Sequence, residues 1–93
     1  MLTTGISAVV VTMAGIAVTT ALVVGLGGGA TPGAVARLGV DTDVVELSQA
    51  VVAGSEFFKS INFDLLTRPN AHLRVDDGRN FMMMTRKKYD VIT

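Results

Sequence analysis

Polarity changes abruptly along the chain. Residues 2–24, LTTGISAVVVTMAGIAVTTALVV, are apolar or small with threonines scattered through, and no charged side chain occurs before Arg37. From residue 21 onward short apolar runs alternate with mixed segments at helical spacing. Ala21–Gly25 (ALVVG) is a continuous apolar run, as expected of a strand buried on both faces. Gly25–Gly29 follows as a glycine turn. Thr31 is placed to cap a helix and Pro32 to occupy its first position, so Gly33–Leu38 reads as a short helix stopped by Gly39. Asp43–Leu47 (DVVEL) is a second strand. Ser48 then caps a helix over Gln49–Phe58, with Ala50, Val51, Phe57 and Phe58 among its apolar positions. Ile61–Asn70 is a connection ending in the turn pair Pro69-Asn70. Ala71–Val75 is a third strand, Gly78–Thr85 a helix whose Phe81 and Met82–Met84 serve packing, and Tyr89–Thr93 (YDVIT) a fourth strand.

Strand–helix alternation with short links predicts an α/β fold with a parallel sheet, in the order β-α-β-α-β-α-β. Ligands of such sheets lie outside the carboxyl ends of the strands, at the point where strand order reverses. The chain divides into an apolar, uncharged segment over residues 1–20 and a domain over residues 21–93. Residues 2–24 match the ~20 apolar residues that cross a bilayer. Against that, five threonines dilute them, no Trp, Tyr, Lys or Arg marks either boundary, and they run without a linker into a strand of the sheet core. A membrane segment, an extra apolar helix or strand, and a start not native to the domain all stay open. The domain itself is expected on the cytoplasmic side.

Eight basic and eight acidic residues cancel, which argues against a nucleic-acid partner. The Arg86-Lys87-Lys88 cluster reads as a solvated helix end. There is no cysteine, so disulfides, thiolate metal sites and cysteine nucleophiles are excluded. The lone His72 has no second His or Cys with which to share a metal, and no metal is expected.

Three motifs fall where the predicted strands end. Gly25-Leu26-Gly27-Gly28-Gly29 lies between a buried strand and a helix, the context in which a glycine match carries weight. Its bare backbone admits a ligand, and the following helix N-terminus offers free N–H groups. Four glycines in five residues exceed what a strand–helix turn requires. Glu46, at the carboxyl end of the second strand, is placed to accept both hydroxyls of a ribose held over that turn; a solvated strand-end charge is the plainer reading. Asp76-Asp77-Gly78 ends the third strand. Asp77 can accept an adenine amine, cap the next helix, or do both, and Gly78 opens space. Gly25-x-Gly27-x-x-Ala30 also fits the dinucleotide fingerprint of nicotinamide-dependent oxidoreductases, a rival that gives no reason for Asp76-Asp77-Gly78.

With those residues in order, residues 21–93 resemble spermidine synthases, the polyamine aminopropyltransferases. The glycine loop, VVEL, DDGRNF and YDVIT occur in sequence, and the likeness is strongest to bacterial members in which the domain is fused to membrane segments. The resemblance implies the amino-terminal half of a Rossmann-like sheet of the S-adenosylmethionine methyltransferase type. It implies decarboxylated S-adenosylmethionine as the nucleoside substrate and a polyamine as acceptor. Gly25, Gly27, Gly28 and Gly29 would face the methionine-derived portion, Glu46 the ribose, and Asp77 with Gly78 the adenine. Two departures stand out. The family's loop carries an aspartate toward the amine, whereas Gly28-Gly29-Ala30 offers no acid. The family's catalytic aspartate follows the fourth strand, beyond Thr93, so no catalytic residue is assigned and the isolated chain is expected to be inactive. A methyltransferase-like domain using S-adenosylmethionine itself and a non-catalytic membrane-associated fragment are the alternatives. An open edge on the last strand predicts self-association.

Overall fold

The computed structural model describes residues 12–13 and 16–93. Two short strands, β1 (Thr12–Met13) and β2 (Ile16–Ala17), pair antiparallel. Four parallel strands follow: β3 (Thr20–Val24), β4 (Asp41–Glu46), β5 (Ala71–Val75) and β6 (Val91–Ile92), in the spatial order β5-β4-β3-β6. The sheet grows outward from β3 in one direction and then reverses to place β6 on its other side. That reversal lies between β3 and β6, so the glycine turn after β3 opens at the switch point. Residues 1–11, 14 and 15, which hold about half of the stretch of membrane-spanning length, lie outside the described residues. Among the described residues no helix is long and apolar enough to cross a membrane.

The first helix, α1 (Ala30–Arg37), begins one turn earlier than the spacing suggested. Its N-cap is Gly29 at φ 86°, with no side-chain cap. Thr31 and Pro32 are therefore its second and third residues, a correction to their expected roles. A left-handed glycine makes the entry bend itself, and a proline at the third position gives up an N–H that has no intrahelical partner anyway. Gly39, at φ 91°, ends the helix as expected and donates its amide to the carbonyl of Ala36 at 3.0 Å.

Strand β4 begins at Asp41, two residues before the predicted start, and ends at Glu46. The Asp-Thr-Asp run looks too polar for a central strand. Each side chain finds a local partner: the Thr42 hydroxyl donates to the Val40 carbonyl at 2.8 Å, Asp41 meets His72, and Asp43 meets Lys87 and Tyr89. Lys87 is thus an ion-pair partner of the sheet and not a merely solvated end of the basic run.

Ser48 caps α2 (Gln49–Gly54), accepting the amide of Val51 at 3.3 Å. The chain continues as a 3-10 turn (Ser55–Phe58), then α3 (Lys59–Asn62), where the sequence suggested only a connection, and a second 3-10 turn (Leu65–Thr67). Helix α4 (Gly78–Met84) follows β5. One face of the sheet is sealed by a core of Val23, Leu26, Ala36, Val44 and Leu65, with Val51, Val52, Ala71 and Leu73 packed on it. A second cluster of Val18, Ala21 and Val40 with Val35 and Val91 extends it toward β6. The opposite face, carrying Leu22, Asp43, Val45 and His72, meets α4. Consecutive helical residues point about 100° apart, so a seven-residue helix on a sheet cannot bury three methionines in a row. Met82 is 42%, Met83 74% and Met84 81% exposed, which corrects the packing role expected for the run.

Candidate functional site

Leu26 anchors the glycine bend. It is the bend's one bulky side chain and points down into the core, 3% exposed, leaving backbone uppermost on either side. Gly25, Gly27 and Gly29 all take positive φ (95°, 55° and 86°), a conformation that costs L-residues about 1–2 kcal/mol each. The bend closes on itself through the Gly29 amide, which donates to the Leu26 carbonyl at 2.8 Å, and is tied to β4 by the Gly25 amide on the Val45 carbonyl at 2.8 Å. Helix α1 starts behind it with no side-chain cap and no acid in its first turn.

Glu46 turns toward this bend. Its Oε1 accepts the Leu26 amide at 2.8 Å and its Oε2 accepts the Ser48 amide at 2.8 Å. One carboxylate therefore bridges the loops that follow β3 and β4. These donors, Ser48 first and Leu26 next, hold the Glu46 carboxyl below its ordinary value, because each N–H dipole favours the charged form. Glu46 is ionised at neutral pH, and the Gly27 and Leu47 amides lower its carboxyl further.

The third strand end connects to the same place. The Asp76 amide donates to the Glu46 carbonyl at 3.0 Å. Asp76 accepts the Asp77 amide at 2.8 Å and the Arg74 guanidinium at 3.1 Å, and both lower its carboxyl pKa, Arg74 most. Asp77 is the N-cap of α4, its Oδ1 taking the amides of Arg79 at 2.9 Å and Asn80 at 3.3 Å. Gly78 packs directly on Val24, the last residue of β3. On the far side of the bend, Thr93 donates to the Leu22 carbonyl at 2.9 Å and accepts the Val24 amide at 2.8 Å.

Gly25, Gly27, Gly28, Gly29, Glu46 and Gly78 thus gather at the carboxyl ends of β3, β4 and β5, with Asp77 at the rim committed to its helix. A hollow of about 530 Å³ lies to one side, bordered by Arg74, Asp76, Asn80, Phe81, Met84 and Thr85. None of the strand-end set borders it. Sequence reasoning missed Asn62, which reaches the bend from α3 and supports it from beneath: its amide donates to the Gly28 carbonyl at 3.0 Å. No periodicity or motif around residues 59–64 points to that contact. Phe58, an apolar position of the predicted helix, is 47% exposed and lies under Gly28; Phe57, another, is 89% exposed and belongs to no core. Phe63 stacks beneath the Arg37 guanidinium, 4.9 Å from its ring centre.

Among the described residues no group of three or more His, Asp or Glu could hold a metal ion. The arrangement offers exposed backbone at a bend, one fixed carboxylate between two loops and two helix starts, which suits holding a polar, hydroxyl-bearing ligand.

No protein-family model matches the chain, nor does any curated protein sequence. Solved structures do. A spermidine synthase from Thermotoga maritima superposes with a TM-score of 0.66 at 20% identity, covering 81% of this chain and 26% of that one. A spermidine synthase in complex with the transition-state analogue AdoDATO matches with the same TM-score and identity, over 81% of this chain and 27% of the other. The likeness establishes a shared α/β, Rossmann-like fold. The chain spans about a quarter of the length of these relatives.

Proposed function

We propose that residues 21–93 are the nucleoside-holding portion of a spermidine-synthase-like aminopropyltransferase, and that the bend after β3 takes decarboxylated S-adenosylmethionine. The observation that carries the proposal is the Glu46 carboxylate. It is ionised, held by the Leu26 and Ser48 amides, and sits beside the switch point of the sheet. On this reading Glu46 accepts the ribose hydroxyls. Gly25, Gly27, Gly28 and Gly29 lie against the sulfonium-bearing chain, and Asp77 with Gly78 borders the adenine. The fold shared with two spermidine synthases supports the family part of this reading.

The reaction proposed is a displacement. The lone pair of an unprotonated amine forms a C–N bond at the carbon attached to sulfur, the C–S bond breaks toward the sulfonium, and methylthioadenosine leaves. The amine then sheds a proton to a base. Holding two reactants in line supplies most of such an acceleration. Glu46 and Asp77 are already engaged with backbone amides, so neither is assigned to take that proton, and the proposal covers binding and orientation.

A second reading has its own support. The start of α1 lacks both a side-chain cap and an acid, and a bare helix N-terminus favours an anion. S-adenosylmethionine carries a carboxylate there and its decarboxylated form does not, so a methyltransferase-like use of S-adenosylmethionine is the alternative.

Calorimetric titration of the chain with both nucleosides and with NAD decides among these. Tighter binding of the decarboxylated form supports the proposal, and tighter binding of S-adenosylmethionine supports the alternative. Preference for NAD overturns both. Asp77→Asn keeps the cap, because asparagine caps as well as aspartate. It is expected to weaken nucleoside binding about 5- to 10-fold, the loss of one charge-assisted hydrogen bond, with little change in melting temperature.

A further inference from the structure

We infer that Asn62 is the positioning residue of the glycine bend. For the ligand this rests on the nucleoside reading above; for the bend it rests on geometry alone. Asn62 is 3% exposed and every polar atom of its side chain is committed. Its Nδ2 donates to the Gly28 carbonyl at 3.0 Å and to the Ser55 carbonyl at 2.9 Å, and its Oδ1 accepts the Asp64 amide at 3.0 Å. The bend packs against it without clearance. A Cβ at Gly29 would lie 2.9 Å from the Asn62 Cβ, and one at Gly33 would lie 2.1 Å from the Asn62 carbonyl oxygen. The two glycines, four residues apart, let α3 touch the start of α1.

The backbone just past Asn62 is strained. Phe63 and Asp64 hold φ of 56° and 55°, a region that non-glycine residues occupy at a cost and keep only where surrounding contacts impose it. Those contacts are present: Arg68 Nε donates to the Phe63 carbonyl at 2.8 Å, Arg37 covers the Phe63 ring, and Oδ1 of Asn62 itself holds the Asp64 amide. The left-handed pair ends α3 at the residue whose amide must face the bend. Gly28 can place its carbonyl downward because the Asn62 amide donates to it. Asn62 presets the ligand-facing backbone from the side away from the ligand.

The test compares Asn62→Asp with the unaltered 93-residue chain. Aspartate keeps the size and the bond from the Asp64 amide, and loses the two donations. Amide hydrogen exchange without ligand is the first readout. Exchange at Gly29 and Gly33 about tenfold faster, with Val44 and Val45 in β4 unchanged, supports the inference; unchanged exchange at Gly29 overturns it. Should the aspartate variant also lose protection in β4, Asn62→Ser, which brings no charge among the carbonyls, repeats the comparison under the same two outcomes. Calorimetry is the second readout. A loss of about tenfold in nucleoside affinity at unchanged β4 protection supports the positioning role, and equal affinity overturns it. If the unaltered chain binds neither nucleoside, the functional reading fails, and the exchange result still decides whether Asn62 sets the bend.

Discussion

Gly78 and Val24 touch so closely that no side chain fits between them: a Cβ on Gly78 would lie 2.5 Å from Cγ1 of Val24. One residue opens α4 and the other closes β3, so this contact draws the third strand end against the glycine bend. Gly78→Ala must push Val24 off its rotamer or lift α4 from the sheet. Overpacking of this kind costs about 1–3 kcal/mol. Val24→Ala in the same chain removes the obstructing methyls. A double-mutant cycle by urea denaturation should therefore show the double variant more stable than the two separate losses predict. Strict additivity would mean that the contact does not hold α4 in place.

The bridge made by Glu46 predicts an acid-sensitive fold. Its carboxyl is held below the ordinary value near 4.5 by backbone donors. A group with a depressed folded pKa contributes stability that is present above its unfolded pKa and is lost as pH falls through the folded one. Asp41, Asp76 and Asp90 are held low as well, chiefly by His72, Arg74 and the Thr19 amide respectively, so the wild-type decline below about pH 4.5 is a sum. Glu46→Gln isolates one part of it. Glutamine can still accept one amide but points an NH2 at the other, which should cost about 1–3 kcal/mol at pH 7. The difference from wild type should shrink as pH drops below 4. Parallel unfolding curves at pH 7 and pH 3 would show that Glu46 does not bridge the loops.

Much of this architecture was legible in the residues, for identifiable reasons. Ala71–Val75 was bounded as observed because a turn pair precedes it and two acids follow it. Ala21–Val24 was recognisable from an uninterrupted apolar run ending in glycine, and Ser48 from its position before a helical pattern. The glycine bend and Glu46 stood out because strand ends in a parallel sheet carry few other reasons for those residues. The hidden features depend on distant partners. Asp41 belongs to a central strand only because His72, 31 residues away, satisfies it. Asn62 matters only because Gly28, 34 residues away, needs a donor, and the left-handed Phe63-Asp64 pair has no glycine to announce it.

Tyr89 offers a readout at the opposite end of the pH scale. It is the one tyrosine in the chain, and its hydroxyl donates to Asp43 Oδ2 at 2.6 Å. Burial first, and the hydrogen bond to Asp43 second, push its pKa well above the usual 10. Lys87, bonded to the same carboxylate at 3.0 Å, is raised too. Raised folded pKa values give stability that is complete below the unfolded values and fades as pH climbs past about 10. Tyrosinate absorbance should therefore lag behind that of free tyrosine and then rise together with loss of the folded circular dichroism signal. Tyr89→Phe should cost about 1–2 kcal/mol at neutral pH. Ionisation of Tyr89 near pH 10 in a folded chain would show that the Asp43 bond is absent in solution.

The two edges of the sheet differ in how they meet another chain. Among the described residues β6 pairs with β3 alone and β5 with β4 alone. Edge strands invite pairing unless charge or length blunts them. On β5, His72 and Arg74 are exposed and charged or polar, so that edge is guarded. On β6 the corresponding residues are Val91, partly buried, and Ile92, 56% exposed, and nothing charged lies within the strand. With only two residues β6 offers a short edge, so association through it is expected to be weak, in the upper micromolar range, seen as a concentration-dependent shift in sedimentation velocity. Ile92→Lys places a charge on the open edge and should return the chain to a monomer with its melting temperature nearly unchanged, whereas Arg74→Ala on the guarded side should leave the monomer fraction no higher. A single monomeric boundary for the unaltered chain across that range would mean that β6 is protected in a way its composition does not reveal.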